Sequence, residues 1–335
     1  MRREQILAGL PAPVLVVGGY GYRNVGDEAI LAGLLRLLSP ARVTVVSRSP
    51  AETMALHGVR AIGVGGAVAA LRRHRTVLIG GGGLFGRGMG RLGRLLPAYG
   101  LVAAAAGRTV VLEGVGIDDD LSGPGGSLVR RLVSTATRVT VRDAASAKVT
   151  AGWGVPAHVA PDLSAAMPAA PGAVGERLLR QAGVDLRRPV VGLCLTALNP
   201  DLGSAVERAV VEAVEQLPEF EFCAIPMSQH PFASRHNDLL LVRRVQAATP
   251  RVKVLEGLHH PASILSAFGR LAAVVGMRYH SLLFAERAGI AVVPIAYAAK
   301  CEAWLAERSA TSVPPTAQAV GTALSELLTP ARMAS

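Results

Sequence analysis

Residues 14–31 read VLVVGGYGYRNVGDEAIL, and this stretch decides the fold class. It opens with an apolar run, continues with a glycine-rich turn, and takes on helical character near residue 26. A short run of β-branched residues is typical of a buried parallel strand, and glycine lets the backbone turn sharply into the next helix. The stretch therefore predicts the first βα unit of a doubly wound sheet.

The same alternation continues along the chain and predicts two such sheets. Short β-branched runs alternate with longer segments rich in alanine and leucine, which indicates βαβ units. The predicted strands cover 14–17, 43–46, 76–79, 109–112 and 138–141 in the first half, and 190–195, 221–225, 252–255, 272–275 and 292–295 in the second. We predict an α/β protein with two doubly wound, Rossmann-like domains that face a cleft.

The predicted boundary between the domains lies in the segment PDLSAAMPAAPGAVG, residues 161–175. This segment is rich in proline, alanine and glycine and has little periodicity, as expected of a connector. We predict an N-terminal domain over 1–165, a linker over 166–188 and a C-terminal domain over 189–335.

The composition narrows the class of protein and of partner. Of the 335 residues, 50% are hydrophobic and 18% charged, which excludes a disordered chain. Lysine and arginine exceed aspartate and glutamate by 35 to 24, and arginine provides nearly all of this positive charge. The excess predicts an anionic partner: a phosphorylated substrate, an acidic membrane surface or nucleic acid. A genome that prefers arginine codons would produce the same balance.

Cysteine, histidine and apolar patterns bear on compartment and metal binding. The three cysteines are far apart and form no CxxC, so we predict no disulfide framework and a cytoplasmic protein. The uncharged stretch 6–22 contains two prolines and runs into the glycine turn, which argues against a signal peptide. The histidine pairs 230/236 and 259/260 lack ligand spacing with a carboxylate, so no metal site is predicted.

Two glycine-rich segments follow predicted strands, at 18–31 and at 79–88 (IGGGGLFGRG). Ligands of open α/β sheets bind beyond the carboxyl ends of the strands, and glycine permits close approach of the backbone. The dinucleotide fingerprint GxGxxG does not fit residues 18–31, and no acidic residue ends the second predicted strand. In the segment 18–31, Asp27 and Glu28 either face a ligand bound at the glycine turn or simply cap the helix that follows.

Two further segments place ionisable side chains at predicted strand ends. VRDAAS, residues 141–146, carries Arg142, for which a surface pair with the next aspartate is an equal alternative. VVGMRYHSLLFAERAGIAVVPIAYAAK, residues 274–300, carries Arg278, His280 and Ser281 at a turn into a helix, with a tyrosine and Lys300 after the next strand. A guanidinium, an imidazole and backbone N–H groups around one point predict a small anion site.

These segments, in this order, resemble the polysaccharide pyruvyl transferase family over roughly residues 13–310. The most specific motifs are GYGYRNVGDEAIL and GMRYHSLLFAERAGIAVVPIAYAAK, with the glycine run 80–83, VRDAAS and APDLS (160–164) between them. The resemblance implies a GT-B-like fold and transfer of a pyruvyl group from phosphoenolpyruvate to a sugar as a ketal. It is strongest to bacterial enzymes that pyruvylate secondary cell-wall polymers, which S-layer proteins then bind. It further implies that Arg278 and His280 contact phosphoenolpyruvate.

The residues and the resemblance together predict the following assignments. Arg278, His280 and Asp27 are the predicted catalytic residues. The predicted donor-binding set is Arg142 of the N-terminal domain together with Arg278, His280, Ser281 and Lys300 of the C-terminal domain, which is the predicted phosphoenolpyruvate side. The predicted acceptor-binding set, on the N-terminal domain, is Gly21, Asn24, Asp27, Glu28, Gly81 and Gly82.

The predicted partners are phosphoenolpyruvate as co-substrate, with no cofactor and no metal, and a lipid-linked or polymeric sugar acceptor. Nucleic acid is not an expected partner, whereas peripheral association with the inner face of the membrane and formation of an oligomer stay open. Two alternatives compete with this function. One is a GT-B glycosyltransferase that uses a nucleotide sugar, and the other is a non-enzymatic module that binds glycan or nucleic acid.

Overall fold

The computed structural model describes residues 3–86, 91–121 and 123–328 and divides the chain into two compact units. Unit 1 comprises Met1–Tyr22 and Gly26–Pro168, and unit 2 comprises Arg23–Val25 and Ala169–Ser335. Residues 87–88 of the glycine-rich segment and the outer ends of both predicted domains lie outside the described residues.

Unit 1 is built on a seven-stranded parallel sheet with the order β3-β2-β1-β4-β5-β6-β7. Its strands are β1 (Val14–Val17), β2 (Val43–Ser47), β3 (Arg60–Gly63), β4 (Thr76–Phe85), β5 (Thr109–Ile117), β6 (Arg138–Val141) and β7 (His158–Val159). Its helices are α1 (Arg3–Ala8), α2 (Val25–Leu37), α3 (Pro50–His57), α4 (Ala67–Ala70), α5 (Arg91–Ala105), α6 (Gly123–Thr135) and α7 (Ala144–Gly152). The strand order reverses between β1 and β4, which is where such sheets bind ligands.

Unit 2 repeats the arrangement with a five-stranded parallel sheet in the order β10-β9-β8-β11-β12. Its strands are β8 (Val190–Cys194), β9 (Glu221–Ala224), β10 (Val252–Val254), β11 (Ala273–Gly276) and β12 (Ala291–Pro294). Its helices are α8 (Gly172–Gln181), α9 (Pro200–Gln216), α10 (Asp238–Ala248), α11 (Pro261–Phe268), α12 (Tyr279–Ala288), α13 (Ala299–Ala306) and α14 (Ala317–Leu327). The order reverses between β8 and β11. Both units are therefore doubly wound and Rossmann-like, as predicted.

The apolar runs form the cores because their strands lie inside the sheets. All four residues of β1 and of β11 are buried, as are all five of β8. Strands buried on both faces read as continuous apolar runs, and this is the pattern from which they were predicted. Within the described residues, no helix is long and apolar enough to cross a membrane.

The glycine run 80–83 differs from its prediction as a loop, because β4 continues through it to Phe85. Gly80 still pairs with Glu113 of β5, and Gly82 pairs with Val115. Gly81 and Gly82 have φ values of +99° and +73°, in the region that favours glycine. The register with β5 shifts between Gly82 and Phe85, so the glycines distort the strand rather than end it.

The predicted linker 166–188 also differs from its prediction as a connector with little periodicity, because residues Gly172–Gln181 form helix α8. Leu179 of this helix is fully buried, and the Gly175 amide donates to the Ser266 hydroxyl of α11 over 3.1 Å. Pro171 stands immediately before the helix, a position where proline is well tolerated, so the proline-rich composition concealed it. The division between the units lies at Pro168.

Candidate functional site

The glycine turn of unit 1 is held by a buried carboxylate in the first turn of α2. Glu28 Oε1 accepts a hydrogen bond from the Gly21 amide over 2.8 Å, and Oε2 lies 2.8 Å from His57 Nε2. Both side chains are almost completely buried. Gly21 itself has φ +77°, and a Cβ there would meet the backbone amide of Ser49 at 2.6 Å. Glu28 thus holds the turn through Oε1 and His57 through Oε2, and acceptor binding by Glu28 stays a prediction.

Asp27 lies beside Glu28 but at a more open place, between the turn and the distorted part of β4. A Cβ on Gly19 would come within 3.2 Å of Asp27 Oδ2, and one on Gly82 within 3.3 Å of Oδ1. Tyr20 is buried beneath this region and donates to the Gly80 carbonyl over 2.8 Å. Burial raises the pKa of Tyr20, with a further contribution from Asp27. The phenol therefore stays protonated and acts as a fixed donor.

Arg142 lies in a slot made by glycines at the same end of the unit 1 sheet. Its Nε donates to Asp143 Oδ2 over 3.2 Å, and its side chain is only 5% exposed. A Cβ on Gly116 would lie 2.7 Å from Nε, and one on Gly83 would lie 3.3 Å from Nη2. Asp143 also accepts from the Ser146 amide and so caps α7. The guanidinium is packed in place, unlike that of a solvated surface pair.

The central feature of unit 2 is a buried ion pair between Arg278 and Asp238. Arg278 Nη2 lies 2.6 Å from Asp238 Oδ1, and Nε lies 3.0 Å from Oδ2. Asp238 is fully buried, and the Arg278 side chain is 11% exposed. Burial would lower the pKa of the guanidinium, but the Asp238 carboxylate outweighs burial and raises it. One edge of the guanidinium is thus used inside the protein.

Asp238 begins α10 and is tied to the loop after β9. Its Oδ2 accepts from the Ser228 amide over 2.9 Å, and its own amide donates to the Ser228 carbonyl over 2.8 Å. These bonds fix the carboxylate, and the carboxylate fixes Arg278.

His280 and Ser281 lie in the first turn of α12, directly after Arg278. His280 is half-buried, and its ring packs edge-on against Tyr279 with 5.5 Å between ring centroids. Ser281 is fully buried, and its hydroxyl donates to the Arg278 carbonyl over 2.6 Å. The Ser281 hydroxyl thus locks the start of the helix, and donor binding at Ser281 stays a prediction. The helix N-terminus still offers positive dipole charge to an anion.

Tyr297 lies near both Arg278 and Lys300, the last of the predicted donor-binding residues. Tyr297 lies near enough to Arg278 to help raise the pKa of the guanidinium, and the Lys300 ammonium lies 5.9 Å from the centroid of the Tyr297 ring. Two effects lower the pKa of His236. Burial is the larger effect, and the positive charge of nearby Arg278 is the second. His236 is therefore neutral at pH 7.

Asn24 belongs to unit 2 together with Arg23 and Val25, although the chain on either side of these three residues belongs to unit 1. It pairs with Ser228 in an antiparallel bridge. The Val25 amide donates to the Met227 carbonyl, and the Gln229 amide donates to the Arg23 carbonyl, each over 2.9 Å. Arg23 has φ +55°, which non-glycine residues rarely adopt.

The structure regroups the predicted site residues. It places Gly21, Asp27, Glu28, Gly81 and Gly82 together in unit 1, with Arg142 at the end of β6 in the same unit. It places Arg278, His280, Ser281 and Lys300 together in unit 2, with Asn24 in the same unit. The structure thus separates Asn24 from the rest of the predicted acceptor set, whereas Arg142 lies in unit 1 as its predicted domain implied.

Sequence reasoning missed Asp238, Tyr297 and His236 as members of the cluster. Asp238 lies 40 positions before Arg278, and as the first residue of a helix it resembles an ordinary helix-capping aspartate. Tyr297 was noted beside Lys300, but nothing in the sequence pairs it with Arg278. The only available signal for His236 was its place in the loop that precedes α10.

Asp238→Asn is expected to lower the free energy of unfolding by about 3–5 kcal/mol, because Arg278 would keep its buried charge without a charged partner. Urea denaturation monitored by circular dichroism measures the change. Asp185→Asn is the matched control, since Asp185 also accepts two hydrogen bonds from an arginine, Arg187, but in solvent. Equal stability losses in the two variants would contradict the assignment of Asp238 as a buried partner.

Comparison with known proteins gives a family for the sequence and a fold for the structure. Residues 24–298 match the family model described as polysaccharide pyruvyl transferase. No curated protein matches the chain significantly.

Three solved structures resemble the chain at low sequence identity. They are S. aureus MnaA in a co-structure with UDP (9% identity, TM-score 0.67, covering 96% of this chain and 88% of that one), UDP-GlcNAc 2-epimerase from Neisseria meningitidis bound to UDP-GlcNAc (11%, 0.63, 94% and 91%), and Anabaena Alr3699/HepE in complex with UDP and glucose (14%, 0.61, 96% and 91%). These likenesses confirm a GT-B-like fold.

Proposed function

Because the chain belongs to the polysaccharide pyruvyl transferase family, we propose that it transfers the pyruvyl group of phosphoenolpyruvate to a sugar of a cell-wall polysaccharide precursor. The product is a pyruvate ketal, and phosphate is released. The reaction takes place in the cytoplasm, and the product is a pyruvylated polymer of the kind that S-layer proteins bind.

The observation that carries the proposal is the ordered cation cluster at the start of α12. Phosphoenolpyruvate is a small dianion or trianion with a carboxylate and a phosphate. Arg278 offers its remaining edge, Lys300 a mobile ammonium, and the first amides of α12 complete a set of donors suited to both groups. Unit 2 is thus the donor side of the proposed reaction.

The chemistry requires one proton donor to carbon and two sugar hydroxyls. His280 gives a proton to the methylene carbon, which leaves an oxocarbenium-like centre at the adjoining carbon. A first hydroxyl forms a C–O bond there and loses its proton, and the carbon–oxygen bond to phosphate breaks. A second hydroxyl then forms the other C–O bond and loses its proton. The sum is one diol and one phosphoenolpyruvate converted to one ketal and one phosphate.

Unit 1 provides the proposed acceptor side, with Asp27 as the group that accepts a hydroxyl proton. Its carboxylate is less enclosed than that of Glu28 and lies against two glycines, Gly19 and Gly82, where a side chain would press on it. Glu28 and His57 keep the turn in shape. We propose Arg142, held in its glycine slot, as a further anion-binding group.

Gly82→Ala is expected to lower kcat/KM about tenfold or more, because the new methyl group would press on the Asp27 carboxylate. The control is Gly107→Ala, where φ is +72° and no atom lies within 4 Å of the added Cβ. Both variants should lose about 1–2 kcal/mol of stability from the left-handed backbone. If steady-state kinetics show the same small loss of activity in both, close approach at Asp27 is not what Gly82 provides.

The function itself is tested by incubating the protein with phosphoenolpyruvate and a panel of lipid-linked disaccharides. Acceptor-dependent release of phosphate, with a ketal carbon in the product by NMR, is the expected result. A parallel incubation with nucleotide sugars distinguishes the first alternative, since a glycosyltransferase would transfer sugar and leave phosphoenolpyruvate intact. Binding of glycan without turnover of either donor would favour the non-enzymatic module and contradict the proposal.

A further inference from the structure

A long stretch of unit 1 carries only positive charge. Between Glu52 and Glu113 the sequence contains eight arginines and no acidic residue. Arg72, Arg73 and Arg94 are exposed, and none of the three forms an ion pair within the described parts of the chain. Their charge is therefore available to an external anionic surface.

The same stretch exposes large apolar side chains. Val68 is 65% exposed, Leu95 61%, Val102 52% and Val64 44%. Leu95, Ala98, Val102 and Ala105 of α5 are all exposed and recur every three or four residues, so they form one stripe along the helix. Soluble proteins rarely leave such a stripe open without a partner.

One hydrogen bond connects the two apolar elements. The Tyr99 hydroxyl of α5 donates to the Ala67 carbonyl at the start of α4 over 2.9 Å. Val68 follows Ala67 directly, and Tyr99 lies one turn from both Leu95 and Val102. We call the surface formed by Val64, Val68, Leu95 and Val102 the α4–α5 face. Arg72 and Arg73 follow α4, and Arg94 adjoins Leu95, so arginines border the face.

We propose that the α4–α5 face binds the surface of an anionic lipid bilayer. Apolar side chains enter the boundary between head groups and acyl chains, while bordering arginines pair with lipid phosphates. Nucleic acid would use the arginines but not the central apolar stripe. The charge complementarity with an anionic surface favours lipid over a second copy of this chain, whose own face is equally positive. The inference does not depend on the transfer reaction.

Vesicle sedimentation tests the proposal with the full chain. Wild-type protein should pellet with phosphatidylcholine vesicles that contain about one third phosphatidylglycerol, and much less with phosphatidylcholine alone. Salt at about 0.5 M should release it, because charges at a surface are then screened. Failure to bind the anionic vesicles, or equal binding to the neutral ones, would overturn the proposal.

Two variants separate the apolar and the charged contributions. Arg72→Glu/Arg73→Glu should lower the partition coefficient about thirtyfold or more, since each arginine near an anionic surface contributes roughly a fivefold factor. Leu95→Glu/Val102→Glu should lower it by at least about tenfold through loss of insertion. Circular dichroism and thermal unfolding verify that each variant is folded.

The matched controls change exposed side chains of the same types on unit 2. Arg177→Glu/Arg208→Glu alters the net charge equally, and Leu240→Glu/Leu258→Glu removes two exposed leucines. Both should pellet like wild type, and equal losses in the controls would overturn the proposal. Sedimentation velocity tests the alternative that a second copy of this chain covers the α4–α5 face. A change of oligomeric state in Leu95→Glu/Val102→Glu with vesicle binding intact would make the face an interface between copies.

Discussion

Arg278→Lys is expected to lower kcat/KM for phosphoenolpyruvate by between about tenfold and a thousandfold. Arginine uses Nε and Nη2 to hold the buried Asp238 carboxylate, and its other edge is the proposed contact for the donor anion. A lysine ammonium is a single point donor, so it cannot neutralise Asp238 and present a fixed edge to the donor at once. Steady-state kinetics and calorimetric titration with phosphoenolpyruvate measure the loss.

Arg308→Lys provides the matched control, because Arg308 also forms a two-point pair, with Glu286, but near solvent. Its replacement should leave kcat/KM unchanged. The unfolding curve of Arg278→Lys must show that the variant is folded. Its affinity for phosphoenolpyruvate then shows whether Arg278 belongs to the donor site. Near-wild-type kcat/KM in folded Arg278→Lys would remove Arg278 from the donor site.

His280→Gln is expected to lower kcat by about 10² to 10⁴ while leaving the affinity for phosphoenolpyruvate nearly unchanged. Glutamine retains hydrogen-bonding capacity but cannot deliver a proton to the methylene carbon. Donor affinity should survive because Arg278 and the helix N-terminus remain. The two quantities are measured separately, kcat by phosphate release and affinity by calorimetry.

The control is His158→Gln, at an exposed histidine on the edge strand β7, which should behave like wild type. Two results would contradict the role of His280 as the acid. If kcat is retained, another group protonates the donor. If donor affinity collapses together with kcat, His280 is a ligand of the phosphate instead.

The fold was largely predictable because local pattern determines it. β1 and β6 have the predicted bounds, since apolar strands leave signals within a few residues. The glycines 80–83 were misassigned because glycine usually breaks a strand, whereas here a bulged strand uses them. Helix α8 was missed because its proline-rich start looks like a connector.

The candidate site was predictable in part. Strand ends indicated where Asp27, Arg142 and Arg278 would lie, because sheet topology brings carboxyl ends of parallel strands together. The sequence could not separate Asp27 from Glu28, since the difference depends on the distant His57 and on burial. The pairing of Asp238 with Arg278 was equally out of reach, because it joins residues on different elements that no local pattern relates.

Unit 2 is discontinuous in sequence, since Arg23–Val25 belongs to it although the chain enters and leaves those residues from unit 1. A fragment over 169–335 would lack the three residues that pair with 227–229, and its loop next to Asp238 would lose those backbone partners. Chimeras between relatives are constrained in the same way. A chimera with a single crossover at residue 168 would take residues 23–25 from one parent and residues 227–229, with which they pair, from the other. Residues 23–25 should therefore be inherited together with the second half of the chain.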